Sequence, residues 1–160
     1  MMMKSIFTVF VLLISLQVNA QKVKLIKLDD LEKRISNGKD TFYVVNYWAT
    51  WCAPCIKELP YFDQLQKANK DKPVKVLLVS LDFPSRYKKK VVPFIEKRKL
   101  TSEVFLLNET DQQAYIDRIS QQWSGALPAT AFINRAKNTT QFFEQEFTYK
   151  ELLATFNLLQ

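Results

Sequence analysis

The chain has 160 residues, of which 48% are hydrophobic, and its 23 basic and 16 acidic side chains give a formal net charge of +7. It contains two cysteines and no histidine, which excludes a catalytic histidine base and a structural zinc site with four Cys or His ligands. The basic residues are scattered, apart from Arg86 and three lysines at residues 88–90, and no nucleic-acid motif is present. The charge therefore favours acidic partners or an anionic membrane surface over nucleic acid.

The first twenty residues differ from the rest of the chain. Lys4 is their only charged residue, and an apolar stretch covers residues 6–16 before Ala20. This layout is typical of a secretory signal peptide, and the stretch is shorter than the about 20 residues that a membrane helix needs. We predict a cleaved signal peptide over residues 1–20, an exported, periplasmic protein, and a single domain over residues 21–160. A retained N-terminal membrane anchor is the alternative.

Strand and helix patterns alternate after the predicted signal peptide. Apolar runs predict strands at residues 42–48, 74–81, 104–107, 129–134 and 139–147. Apolar residues at helical spacing predict helices that begin near residues 53, 87, 111 and 152, the third of them reaching Trp123. Pro60 is expected to kink the first of these helices. The order predicts an α/β protein whose mixed sheet has parallel neighbours and a final antiparallel hairpin.

The two cysteines lie where the strand over residues 42–48 gives way to a helix, in the run Trp51-Cys52-Ala53-Pro54-Cys55. A disulfide across so short a loop restrains the unfolded chain little, so a structural role is disfavoured. A thiol attacks a disulfide only as its thiolate, and the free N–H groups and dipole of a helix N terminus stabilise that anion. We predict that Cys52 attacks the partner and that Cys55, one turn on and deeper, resolves the mixed disulfide.

Two neighbours of the cysteines are further candidates. Pro54 restricts the first helical turn and removes an N–H group that would otherwise be unpaired. Trp51 either shields the sulfur and offers a flat apolar surface to a partner, or is an ordinary packed aromatic residue. Trp48, within the strand, is expected to be part of the core.

Residues 45–60, VNYWATWCAPCIKELP, resemble the thioredoxin superfamily and its exported TlpA/ResA-like branch, which includes the cytochrome c maturation reductants. A second matching stretch, GALPATAFI, lies at residues 125–133. The resemblance implies a thioredoxin fold, with a mixed central sheet flanked by helices. It also implies an extra helix and strand at about residues 85–108, between the βαβ half and the C-terminal ββα half.

The resemblance assigns Leu127 and Pro128 to substrate binding. Pro128 would be a cis-proline opposite the cysteines, which leaves the preceding backbone free to pair with an extended substrate. Without the resemblance, the residues favour a trans proline that opens a strand. Ala129 follows Pro128 where the family usually has a pair of threonines, so the substrate groove is expected to differ in detail.

The resemblance also assigns Glu58, one helical turn beyond Cys55, an influence on cysteine ionisation and proton transfer. A surface carboxylate near a helix N terminus is the alternative. Asn46 occupies the place where many cytosolic thioredoxins have a buried aspartate, which leaves Glu58 as the expected proton carrier.

The activity implied is thiol:disulfide exchange with exported proteins through the Cys52–Cys55 pair, without a metal or another cofactor. The leading hypothesis is a reductant of the cell envelope, acting in cytochrome c maturation or as a general thiol reductant, with electrons from a membrane-bound donor. A disulfide oxidant or isomerase is the second hypothesis, and a non-catalytic binding module of thioredoxin fold is the third. The substrate and the oligomeric state do not follow from the sequence.

Overall fold

The computed structural model describes residues 23–160, so the predicted signal peptide over residues 1–20 lies outside the described residues. The strands are β1 Lys24–Ile26, β2 Phe42–Trp48, β3 Val74–Ser80, β4 Glu103–Leu107, β5 Ala129–Asn134 and β6 Thr139–Phe143. The α-helices are α1 Leu28–Ser36, α2 Ala53–Ala68, α3 Val92–Glu96, α4 Gln112–Ile119 and α5 Tyr149–Leu159. Within residues 23–160, no helix has the length and apolar character needed to cross a membrane.

The strands form one six-stranded sheet in the order β1-β4-β3-β2-β5-β6. The first four strands in this order run parallel to one another, whereas β5 runs antiparallel to β2 and β6 runs antiparallel to β5. Every residue of β2 is buried, because this central strand is covered on both faces. The mixed α/β sheet predicted from the sequence is confirmed.

The predicted insertion is also present. After β3 the chain makes a 3₁₀ turn at Pro84–Arg86 and a π-helical turn at Tyr87–Val91, then continues into α3 and β4. Strand β4 enters the sheet between β1 and β3. Asp63 on α2 accepts hydrogen bonds at Oδ1 from the backbone N–H groups of Thr101 and Ser102, at 2.5 and 2.9 Å, and so ties the α3–β4 connection to α2.

Several predicted boundaries are wrong. The last strand was predicted to reach residue 147 but ends at Phe143, because the N–H group of Phe147 donates to a side chain of α2 instead of to the sheet. The predicted helix that reached Trp123 ends at Ile119, because Ser120 is extended. Helix α2, in contrast, continues through Pro60 to Ala68, and the kink expected at Pro60 stays a prediction.

Strand β1 and helix α1 were not predicted. Strand β1 has only three residues, none of them buried, and α1 is mostly polar and buries only Leu28 and Leu31. Such short apolar patterns carry little periodic signal.

The core consists of two clusters of buried apolar residues. The first contains Cys52 and Cys55 together with Leu59 and Phe62 of α2 and Phe156 of α5. The first also contains Val44 of β2, whereas its neighbours on that strand, Tyr43 and Val45, belong to the second. Alternate residues of β2 therefore contribute to the two clusters, and the packing of α2 in the first cluster fixes the cysteines at the end of the sheet.

Candidate active site

Cys52 is the N-cap residue of α2 and forms a disulfide with Cys55. The Cys52 sulfur accepts a hydrogen bond from the backbone N–H of Cys55 at 3.3 Å. Cys52 is 6% exposed, whereas Cys55 is 0% exposed. Cys52 is therefore the more accessible cysteine of the pair, and when the disulfide is reduced the helix N terminus stabilises a thiolate on it.

The aromatic residues beside the cysteines have opposite environments. Trp51 is 67% exposed, so its ring is available to a partner and is not packed in the core. Trp48 is fully buried, as expected, and stacks on Phe94 of the inserted segment with ring centroids 5.3 Å apart. The inserted segment thus packs directly behind the strand that leads to the cysteines.

Glu58 is fully buried, so the alternative of a surface carboxylate is wrong. Its Oε1 accepts a hydrogen bond from Nδ2 of Asn46 and its Oε2 accepts one from the backbone N–H of Phe147, both at 2.8 Å. Burial is the main cause that raises the pKa of Glu58 from 4.5 to about 7; the nearby carboxylate of Glu146 acts in the same direction, and the two hydrogen bonds act against both. The carboxyl group can therefore gain or lose a proton near neutral pH.

Asn46 lies in the middle of β2 and is also fully buried. Its Nδ2 donates a second hydrogen bond, at 3.2 Å, to Oγ1 of Thr130, the residue paired with it on β5. Oδ1 of Asn46 has no hydrogen-bond partner within the described residues. A single amide thus connects β2, β5 and the carboxyl group on α2.

The Leu127–Pro128 peptide bond is cis, as the resemblance implied. Pro128 is buried and directly precedes β5, whose first residue Ala129 pairs with Tyr47 near the carboxyl end of β2. Pro128 therefore lies at the end of the sheet from which the chain continues to Cys52. Leu127 is partly buried and packs against both core clusters.

Asp82 was missed by the sequence analysis. Its buried carboxylate accepts hydrogen bonds from the backbone N–H of Thr50 at 2.8 Å and from its Oγ1 at 2.6 Å, and Ser80 Oγ donates to it at 2.8 Å. Asp82 thus fixes the backbone two residues before Cys52. Its position just after β3, beside the carboxyl end of the parallel strand β2, is the signal that could have found it.

Comparison with known proteins places this arrangement in a family. Residues 13–141 match the AhpC/TSA family. The chain belongs to the AhpC/TSA family.

This AhpC/TSA-family chain is 29% identical over 122 residues to the thiol-disulfide oxidoreductase ResA of Geobacillus kaustophilus, a match that covers 76% of the chain and 64% of that relative. It is 44% identical over 57 residues to ResA of Oceanobacillus iheyensis, which covers 36% of the chain and 26% of that relative. The matches therefore span less than two thirds of the length of these curated relatives.

Two solved structures share the fold of this AhpC/TSA-family domain. A thioredoxin-related protein from Neisseria meningitidis serogroup B superposes with a TM-score of 0.63 at 24% identity, over 76% of this chain and 86% of that one. A secreted Mycobacterium tuberculosis disulfide oxidoreductase homologous to E. coli DsbE superposes with a TM-score of 0.58 at 23% identity, over 78% and 86%. The predicted superfamily and thioredoxin fold are confirmed.

The predicted site residues of this AhpC/TSA-family domain fall into two layers. Trp51 is exposed and the adjacent Cys52 is 6% exposed, whereas Cys55 is fully buried and lies one helical turn before the buried Glu58. The outer layer can meet a partner, and the inner layer places the Glu58 carboxyl group on the same helix as the deeper cysteine. Substrate binding by the outer layer and proton transfer by Glu58 remain predictions.

Proposed function

We propose that this chain is a thiol:disulfide oxidoreductase that exchanges the Cys52–Cys55 disulfide with cysteines of other proteins. The observation that carries the proposal is the cysteine pair at the N terminus of α2, in which Cys52 is 6% exposed and Cys55 is fully buried. The AhpC/TSA family membership and the naming of the relatives as thiol-disulfide oxidoreductases support it.

The proposed reaction begins from the reduced pair. The Cys52 thiolate attacks one sulfur of a substrate disulfide, whose S–S bond breaks and releases the other sulfur as a thiolate. The Cys55 thiol then loses its proton, attacks the Cys52 sulfur of the mixed disulfide and releases the second substrate thiolate. The products are the Cys52–Cys55 disulfide and, after protonation, two substrate thiols. Two electrons and two protons have moved to the substrate.

We propose that the chain acts in this reducing direction. Burial of Cys55 disfavours its thiolate, and an ionised Glu58 one turn away disfavours it further. A couple whose thiolate is poorly stabilised is more reducing. Each turnover then needs two electrons from a dithiol donor, for which a membrane-bound protein is the proposed source.

We further propose that the chain works outside the cytosol, with cytochrome c maturation as one candidate process. The apolar stretch over residues 6–16 has the layout of an export signal, and one protein of similar fold is described as secreted. Disulfides form and persist in such oxidising compartments.

Trapping of mixed disulfides tests the activity. The chain has only two cysteines, so Cys55→Ser and Cys52→Ser are matched variants that each retain one thiol. Cys55→Ser should accumulate mixed disulfides with substrate proteins through Cys52, whereas Cys52→Ser should form few because Cys55 is buried. No trapping by either variant would instead favour the non-catalytic binding module, and equal trapping by both variants would contradict the assignment of Cys52 as the attacking cysteine.

Measurement of the reduction potential tests the direction. The full chain is equilibrated in graded thiol/disulfide buffers and its alkylated cysteines are counted. A potential near or below that of thioredoxin, about −270 mV, supports a reductant. A potential near that of DsbA, about −120 mV, contradicts it and favours a disulfide oxidant.

A further inference from the structure

A groove lies beside Trp51, on the side of the inserted segment. It has a volume of about 560 Å³, and its aromatic lining consists of Trp51, Phe83 and Phe94. Trp51 is 67% exposed and Phe83 is 76% exposed, which makes them two of the most exposed large apolar side chains in residues 23–160. Apolar surface that is left open in this way is typical of an interaction site.

The same groove carries positive charge. Arg86 and Lys90 line it, and both side chains are exposed. Neither forms an ion pair with an acidic side chain of the described residues. The carboxylate in the lining, that of Asp82, is buried and is held by the hydrogen bonds from Thr50 and Ser80. The groove therefore offers two cations that pair with no acidic side chain of residues 23–160.

The position of the groove links it to the cysteines. Thr50 and Trp51 form one side of it, and Cys52 is the next residue. Phe83, Arg86 and Lys90 come from the turns that follow β3, at the start of the inserted segment. A chain lying in the groove would pass beside Cys52, the less buried cysteine of the pair.

We propose that this groove, called here the basic aromatic groove, binds the substrate segment that flanks the reactive cysteine and selects segments carrying acidic side chains next to an apolar one. The acidic side chains would pair with Arg86 and Lys90, and the apolar side chain would contact Trp51 and Phe83. This proposal rests on the proposed function, because it names the substrate class of the same site. A concave groove beside a disulfide suits a polypeptide better than a flat lipid surface.

Peptide disulfides provide the test. Two synthetic peptides each carry one cysteine in a mixed disulfide with 2-mercaptoethanol and differ only in having two glutamates or two glutamines beside an aromatic residue. The reduced full chain should reduce the glutamate peptide about fivefold faster at low salt, since each exposed ion pair contributes modestly. Added salt should shrink this ratio through screening.

Two matched double variants locate the effect. Arg86→Gln with Lys90→Gln removes both cations of the groove and should bring the ratio of the two rates to about one. Lys88→Gln with Lys89→Gln removes the same charge from the same segment outside the groove lining, and it should retain the ratio. Phe83→Ser should slow the reduction of both peptides equally, because it removes apolar contact and no charge.

Three results would overturn the proposal. A wild-type ratio of one would exclude selection of acidic segments. An equal loss of the ratio in the Lys88/Lys89 variant would assign the effect to overall charge. Binding to phosphatidylglycerol vesicles that depends on Arg86 and Lys90, without any difference between the peptides, would identify a membrane surface instead. Reduction of the small neutral compound bis(2-hydroxyethyl) disulfide by the wild type tests the proposed function separately from the groove. Failure to reduce it would contradict the oxidoreductase function itself.

Discussion

Replacement of Glu58 by glutamine should change how the stability of the oxidised protein depends on pH. Glutamine preserves the size of the side chain and one oxygen acceptor, but its NH₂ group meets the N–H donor of either Asn46 or Phe147. That mismatch costs about 1–3 kcal/mol at every pH. The informative quantity is therefore the slope of stability against pH rather than the stability at one pH.

The sign and size of the slope follow from the pKa. An unfolded chain loses the Glu58 proton near pH 4.5, whereas burial in the folded chain raises the pKa to about 7. Between these values the folded state binds more protons, so the wild type becomes less stable as the pH rises. At 1.36 kcal/mol per pKa unit, the loss is about 3 kcal/mol by pH 7, with little further change above it. Glu58→Gln lacks this contribution.

Urea unfolding of the oxidised full chain, followed by tryptophan fluorescence between about pH 5 and pH 8, measures the slope. The difference in unfolding free energy between wild type and Glu58→Gln should move by about 2–3 kcal/mol in favour of the variant across this range. Glu96→Gln is the control, because it removes an exposed carboxyl group. Its unfolding free energy should change with pH in the same way as that of the wild type. Parallel curves for wild type and Glu58→Gln would refute the assignment of a near-neutral pKa to Glu58.

Three further substitutions test the surroundings of the site. Asp82→Asn, which weakens the hold on Thr50, should lower the unfolding free energy by about 1–3 kcal/mol and slow alkylation of reduced Cys52; an unchanged alkylation rate would remove Asp82 as a positioning residue. Asp63→Asn should lower the unfolding free energy mainly above pH 4. Burial opposes ionisation of Asp63, but its hydrogen bonds outweigh burial and lower its pKa, so the stabilisation by the carboxylate is lost in acid. A difference in urea midpoints between wild type and variant that does not change with pH would contradict this. Thr148→Ala, which breaks the capping box of α5, should cost about 1 kcal/mol in urea unfolding, whereas Thr148→Ser should not.

The parts of the fold that could be predicted are those whose signal is local. The continuous apolar run of β2 identified a central strand, and the cysteines after it marked the helix N terminus. The cis state of the Leu127–Pro128 bond followed from the resemblance alone, since the residues themselves favoured a trans proline.

The parts that could not be predicted depend on contacts between distant segments. Asp82 and Thr50 are 32 residues apart, and only the parallel pairing of β2 and β3 brings them together. Strand β6 ends early because Phe147 donates its N–H to Glu58, which lies 89 residues before it. No pattern within a strand or helix carries that information.

Asn46 explains why a single carboxyl group can titrate near neutral pH in this site. An aspartate at this position would place a second negative charge against Glu58, and like charges would drive the pKa of one of the two carboxyl groups upward. The amide instead donates to Glu58 and favours its ionised form, as does the N–H of Phe147, while burial favours the neutral form. These opposing effects leave the pKa at about 7, which is the range that proton transfer at physiological pH requires. In a chain without histidine, a buried glutamate held by two neutral donors thus titrates near neutral pH on the same helix as Cys55, one turn beyond it.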